Sequence, residues 1–283
     1  HVRFARVPQK MLAQPNAGRG SFGLLCRYPG SVTGSDDSAI TEKIDVLGVK
    51  GHPTITIKLG AKENLGQEFF RWEFATAVTG AVMNINPFNQ PDVESAKIET
   101  RKLTEEYEKT GELPAETPFF EAEGVKFFSS PEYAAKLGAF VGDDPSLRKY
   151  LAGHIAHLQE NDYFALLAYV EMNAETENLL QQIREKILLR ELTASCLGFG
   201  PRFLHSTGQG YKGGANNGVF LQITSDDAED FAVPGQKYTF GAVKSAQARG
   251  DFQVLVDRGR RALRVHLGSD VKKGLSALLK LIG

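Results

Sequence analysis

The chain has 283 residues, 42% of them hydrophobic, with 33 basic and 34 acidic residues for a net charge of -1. That length suits one large domain or two ordinary ones, and the charge balance argues against nucleic acid as a partner. Cys26 and Cys196 stand far apart without CxxC spacing, which fits a reducing, cytoplasmic setting, and no apolar run reaches the roughly 18 residues of a membrane span.

Residues 1–35 hold five Arg or Lys and no Asp or Glu, and include the flexible run NAGRGSFG. An acid-poor basic leader fits a transit peptide, the edge of a longer protein, or a mistranslated, non-native stretch. Residues 1–37 are read here as an irregular basic leader at such an edge. From Ser38 onward the patterns become regular. Residues 39–48 suit a short amphipathic helix, and PTITIKL at 53–59 alternates as a strand does. Gly66 to about Ile85 forms a helix in which Phe69, Phe70, Phe74, Ala77, Val78, Ala81 and Val82 cover most of the circumference, a pattern that predicts deep burial.

Pro87 ends that helix. The turn behind it, in NPFNQPDVESAK, crowds Asn84, Asn86, Asn89, Gln90 and Lys97 together. Pro91 suits a first helical position, and Asp92 and Glu94 suit the positive end of the helix dipole. The helix over 91–110 is polar apart from a thin stripe, so it is expected at the surface. GELPAETP at 111–118 marks a change of composition and the expected boundary between a segment at 38–112 and one at 113–283.

FFEAEGVKFFSS reads as a hairpin turning at Glu123-Gly124, followed by helices over 131–138 and 145–160. Four short apolar strands then alternate with helices: 164–170, 192–199, 218–224 and 262–268. Asn173 caps the first intervening helix, and others fall near 238–248 and 270–282. This rhythm predicts an α/β fold, a parallel sheet flanked by helices in Rossmann-like layers. The ligand crevice of such a sheet lies beyond the strands' carboxyl ends, which places 171–173, 200–217, 225–230 and 268–270 there.

GQGYKG at 208–213 matches GxGxxG formally, but it leads into a strand rather than opening a helix, so a dinucleotide site lacks its context. His205, Ser206, Thr207 and Gln209 could bond a polyol or phosphate at the crevice, with Lys212 as a phosphate partner; a plain polar loop is the alternative. His154 and His157 have helical spacing but no third metal ligand, and His266 reads as a packed core histidine. GxSxG, P-loop and HExxH motifs do not occur. Lys97 is by default a solvated lysine paired with Glu94. Gln90 lies seven residues earlier, about two helical turns, so an amide and a cation share one side of the helix.

The stretch GQEFFRWEFATAVTGAVMNINPFNQPDVESAK resembles the C-terminal signature of glucose-6-phosphate isomerases, in which an apolar helix leads into NPF-x-QP-x-VE-x-x-K. Downstream, LGFGPRFLHSTGQ, GVFLQIT, VPGQKYTFGAVKSAQARGD and RGRRALRVHLG are similar to the isomerase half of bifunctional transaldolase/glucose-6-phosphate isomerase fusions. The likeness covers about residues 38–283. It implies a sugar-isomerase (SIS-like) fold and an upstream transaldolase and first isomerase subdomain in the same polypeptide. It also implies a sugar phosphate substrate, no metal or cofactor, and homodimerisation.

The implied chemistry is proton transfer between C2 and C1 of an open-chain sugar phosphate through an enediol. Lys97 would serve in ring opening and charge stabilisation, His205 as an acid, and Gln90, Ser206, Thr207, Gln209 and Lys212 in substrate binding. The base glutamate's segment and the phosphate-holding loops of the family are not found. Tyr211 stands where the fusions carry a histidine, and a phenol is a far weaker acid near neutrality. Weak or no activity is therefore expected of this chain by itself. The rival is a non-catalytic sugar-phosphate-binding or assembly domain supporting a transaldolase.

Overall fold

In the computed structural model the described residues are 23–27, 42, 44–46, 48–49, 54–205 and 207–282. The chain divides after Asn89 into two units. In the first, β1 (Gly23–Arg27) pairs in parallel with β2 (Thr54–Lys58). Residues 42, 44–46 and 48–49 are helical, and α1 spans Leu65–Met83. Asn84 closes α1 in the left-handed region at φ 55°, a conformation that asparagine tolerates better than most side chains. The Asn86 side chain then accepts from the Phe88 N–H at 3.0 Å. Two of the crowded amides thus build the turn itself.

Burial in α1 runs against the expectation from its sequence. Phe69, Phe70, Phe74, Val78 and Val82 are exposed, and only Glu68 and Gly80 of the helix are buried. Apolar composition gives a helix something to cover; a partner surface must still arrive.

The second unit opens with α2 (Pro91–Thr110) and then builds a six-stranded sheet. Its strands are β3 (Phe120–Ala122), β4 (Val125–Phe128), β5 (Tyr163–Tyr169), β6 (Ala194–Phe199), β7 (Gly218–Ser225) and β8 (Arg261–Leu267), in the order β3-β4-β8-β7-β5-β6. The four strands from β8 to β6 are mutually parallel, and the hairpin is added antiparallel on β8. Glu123 and Gly124 both have positive φ, 54° and 75°, the geometry of a two-residue turn matched to strand twist. The sheet is therefore mixed rather than wholly parallel.

The helices are α3 (Pro131–Val141), α4 (Leu147–Ala156), α5 (Ala174–Glu191), α6 (Thr207–Gly213), α7 (Phe240–Asp257) and α8 (Val271–Leu281). Alternation along the strands sorts the core. Phe164, Leu166, Ala168, Leu221, Ile223 and Val265 face one side, under Leu137, Leu151, Ile183 and Leu275 from α3, α4, α5 and α8. Ala165, Leu167, Tyr169, Phe220 and Ala262 face the other, under Phe203 and the α7 residues Ala248, Phe252 and Leu255. With both faces covered, β5 is buried along nearly its whole length, as the near-continuous apolar run FALLAYV requires.

An outer layer follows on the α7 side. Val93 and Ala96 of α2 are buried, and Thr100 Oγ1 reaches the Ala246 carbonyl at 3.5 Å. Gly250 of α7 lies so close that a β-carbon there would stand 3.0 Å from the Ala96 carbonyl oxygen. The division after Asn89 thus places α2 with the sheet, earlier than the composition change at 111–118. That change marks a connection, and Glu116 within it pairs with Arg249 at 2.9 Å and Arg264 at 2.7 Å.

Candidate functional site

The first turn of α2 has N–H groups with no partner inside the helix, and they need acceptors. The usual source of a cap is the preceding residue, but the Gln90 side chain makes no capping bond. Gln209 serves from α6 instead. Its Oε1 accepts from the Asp92 N–H at 3.0 Å and the Val93 N–H at 3.4 Å, while its Nε2 donates to Asp92 Oδ2 at 2.7 Å. Arg258 donates from Nε and Nη2 to the other carboxylate oxygen, both at 2.6 Å. Asp92 is buried, with its charge answered by a guanidinium, an amide and the helix dipole.

This arrangement brings two of the sequence-derived segments together. The start of α2, with Gln90 and Lys97, lies against the chain that carries Thr207 and Gln209. Gln90 is exposed and Lys97 is half-exposed, its ammonium 3.2 Å from Glu94. Gln90 stands just before the helix, with non-helical backbone at φ -131° and ψ 59°, so helical spacing alone does not set its side chain on the Lys97 face. Thr207 is exposed at the start of α6. His205 ends a 3-10 turn over Arg202–His205; its side chain, and the whole of Ser206, lie outside the described residues.

Two expectations change. Gln209 is engaged by α2, so both ends of its amide are occupied within the protein. Lys212 is buried, and its ammonium pairs with the equally buried Asp251. A phosphate would have to displace that carboxylate in the interior, so Lys212 is a structural cation. Burial raises the Asp251 carboxyl, and Lys212 pulls it back. Tyr169 lies against the same carboxylate, and burial first, then Asp251, raises its phenol well above the ordinary value.

Tyr211 packs among Tyr163, Phe203 and Phe220. Its hydroxyl is 3.4 Å from Cys196 Sγ. Burial, then the Cys196 thiol, pushes its phenol far above the usual range, so it is no acid near neutrality. Among the described residues no group of three His, Cys, Asp or Glu stands ready to hold a metal ion. His154 is buried with Nδ1 2.9 Å from the Tyr133 hydroxyl, and His157 donates to the Gly153 carbonyl at 2.6 Å. His266 sits between Thr224 at 3.0 Å and Asp226 at 3.2 Å, and burial lowers its basicity.

A cleft of about 430 Å³ opens at the carboxyl end of β7, between it, the start of α7 and the end of α2. Ser225, Asp226, Asp227, Asp230, Thr239 and Tyr107 contribute to its lining. Asp230 accepts from the Gly241 N–H at 2.7 Å. Slight burial alone would raise its carboxyl, but bonds from Thr239, Gly241 and Phe231 and the charge of Lys244 hold it below the carboxylate norm. Sequence reasoning placed 225–230 at the crevice without singling out these acids; the run SDDAED directly after GVFLQIT was the available signal. Neither Gln90 nor Lys97 lines this cleft.

Fold and site together define an α/β protein with a six-stranded mixed sheet flanked by helices, whose described helices include none long and apolar enough to cross a membrane. A 49-residue stretch, 17% of this chain, is 47% identical to a glucose-6-phosphate isomerase from Rubrobacter xylanophilus. The match spans 11% of that relative's length. No protein-family profile matches the chain. Among solved structures, a hypothetical protein from Thermus thermophilus aligns over all of this chain and 68% of its own, with TM-score 0.41 and 13% identity.

Proposed function

We propose that this chain carries part of an aldose–ketose isomerase site acting on glucose 6-phosphate and fructose 6-phosphate. The observation that supports this most is the 47% identity over 49 residues to a protein bearing that activity's name. In this reading the reaction moves a proton between C2 and C1 through an enediol, and the developing oxyanion needs a nearby cation or donor. Lys97 supplies the cation. Its contact with Glu94 is a surface i,i+3 pair with both partners about half-exposed, which a substrate anion displaces at little cost. Gln90, relieved of capping by Gln209, offers its amide to a sugar oxygen. His205 and Thr207 belong to the segment that Gln209 ties to this helix start, and in this reading they complete the substrate's polar surroundings.

Two measurements test it. Fructose 6-phosphate is titrated into the protein by calorimetry, and solvent deuterium incorporation at C1 and C2 is followed by NMR. Binding that Lys97→Ala reduces strongly, with little or no deuterium incorporation because this chain supplies no candidate base, is the expected result. Binding that Lys97→Ala leaves unchanged, again without incorporation, assigns the non-catalytic sugar-phosphate module instead. Absence of binding at millimolar ligand sinks both.

A further inference from the structure

We propose that Asp92 is a positioning residue for this site, fixing the start of α2, and with it Gln90 and Lys97, against the segment that runs into α6. The inference rests on the sugar-phosphate reading above. Aspartate in the first turn of a polar helix ordinarily faces water, yet this side chain is 3% exposed. Its two oxygens answer to different elements: Oδ1 to Arg258 beyond α7, and Oδ2 to Gln209 of α6.

The same Gln209 side chain caps α2 across 117 residues of sequence. Because this cap arrives from elsewhere, the residue before the helix needs no capping role, and the Gln90 carboxamide is released for a ligand. Space around the junction is tight. A β-carbon on Gly213 would collide with Asp92 Oδ2 and Gln209 Nε2. Arg260 closes the far side, donating to the Lys212 and Gly214 carbonyls. Asp92 therefore stands where three elements meet, two residues from Gln90 and five from Lys97.

Asp92→Asn keeps the volume and removes one acceptor. With the remaining oxygen on Arg258, the introduced amide NH2 faces Gln209 Nε2, donor against donor. Adding Gln209→Glu restores an acceptor opposite that NH2 and keeps the acceptor for the Asp92 and Val93 N–H groups. The test is fructose 6-phosphate affinity by calorimetry, with amide hydrogen exchange over residues 90–97 as a second readout.

Asp92→Asn is expected to weaken binding about tenfold, the scale of coupling within one hydrogen-bond network, and to speed exchange at the start of α2 while cooperative unfolding persists. The double variant is expected to return affinity to within about threefold of the original, as coupled partners do. Unchanged affinity in Asp92→Asn, or no recovery in the double variant, overturns the inference and leaves the sugar-phosphate reading standing. No binding by the unsubstituted chain overturns that reading, and the inference falls with it. Should Asp92→Asn fail to fold, Arg258→Gln, at the half-exposed partner, replaces it; a several-fold loss supports the role and wild-type affinity ends it.

Discussion

α1 and α2 flank the same turn, and their burial runs opposite to their composition. α1 is rich in phenylalanine and valine, yet Phe69, Phe70 and Phe74 are each more than half exposed. α2 is dominated by Glu, Lys and Thr, yet Asp92, Val93 and Ala96 are almost completely enclosed. The difference lies in what each helix meets. α2 lies along α7, which offers a close-approach surface at Gly250, and its first turn is gripped by Gln209 and Arg258. Within its own unit α1 meets no such surface among the described residues. Composition states how much a helix gains from being covered; the topology decides whether anything covers it.

The largest effects should come from the buried ion pair of the second unit, Lys212 with Asp251, in which both side chains are almost wholly enclosed. Lys212→Met leaves Asp251 charged or protonated in the interior without its cation. Breaking a buried pair from one side costs about 3–5 kcal/mol, and urea unfolding should show a loss of that size with the m-value kept. A result under about 1 kcal/mol, the range of exposed pairs, would mean that water reaches the pair.

His154 gives the next effect, and its sign is fixed by burial. Enclosure of the ring, then the neighbouring His157, lowers its pKa from 6.5 to about 3. The unfolded chain takes up a proton below pH 6.5 that the folded chain refuses until about pH 3. Stability from the neutral ring is therefore complete above the unfolded value and lost progressively as pH falls through that window, by roughly 5 kcal/mol in all. His154→Phe should lose less stability than the unsubstituted protein between pH 6.5 and pH 3. Parallel stability–pH curves for the two would refute the assignment.

Much of the second unit was legible in the sequence because its strands are short, apolar and regularly spaced. FALLAYV, GVFLQIT and ALRVHLG align with β5, β7 and β8 to within a residue or two. Asn173 caps α5 by accepting from the Glu175 and Thr176 N–H groups, as expected from its place before a helix. The pairing of the hairpin with β8 was not legible, since a strand's local pattern does not name its neighbour. The exposure of α1 was hidden for the same reason. At the site, the start of the helix at Pro91 could be read directly, which leaves Gln90 just before it and Lys97 within it. The reach of Gln209 to Asp92 spans 117 residues, and no local pattern carries it. Lys212 misled because a lysine in a glycine-rich stretch looks like a phosphate ligand; its acid partner lies 39 residues away on another helix.

The contrast between the units can be sharpened directly. Leu166→Ala, on the interior strand β5 with its side chain wholly enclosed, should cost about 2–5 kcal/mol through lost transfer energy and a cavity. Phe70→Ala on α1 removes a larger side chain, but one that is 69% exposed, and should stay within about 0.5 kcal/mol. Comparable losses for the two would show that α1 is covered in solution and would break the comparison with which α1 was set against α2.

The smallest stability effect belongs to the residue on which the functional reading depends most. Lys97 pairs with Glu94 at 3.2 Å, and both side chains are about half in solvent. Exposed i,i+3 pairs contribute a few tenths of a kcal/mol, so Lys97→Ala should shift unfolding by no more than about 0.5 kcal/mol. The same substitution should remove most of the sugar-phosphate affinity, because it takes away the cation proposed for the oxyanion. A side chain worth little to the fold and much to the ligand is what separates a site residue from a solvated one. If Lys97→Ala leaves both stability and fructose 6-phosphate binding unchanged, the ammonium serves only Glu94, and the turn that crowds three asparagines and a glutamine is explained by the chain reversal that Asn84 and Asn86 already build.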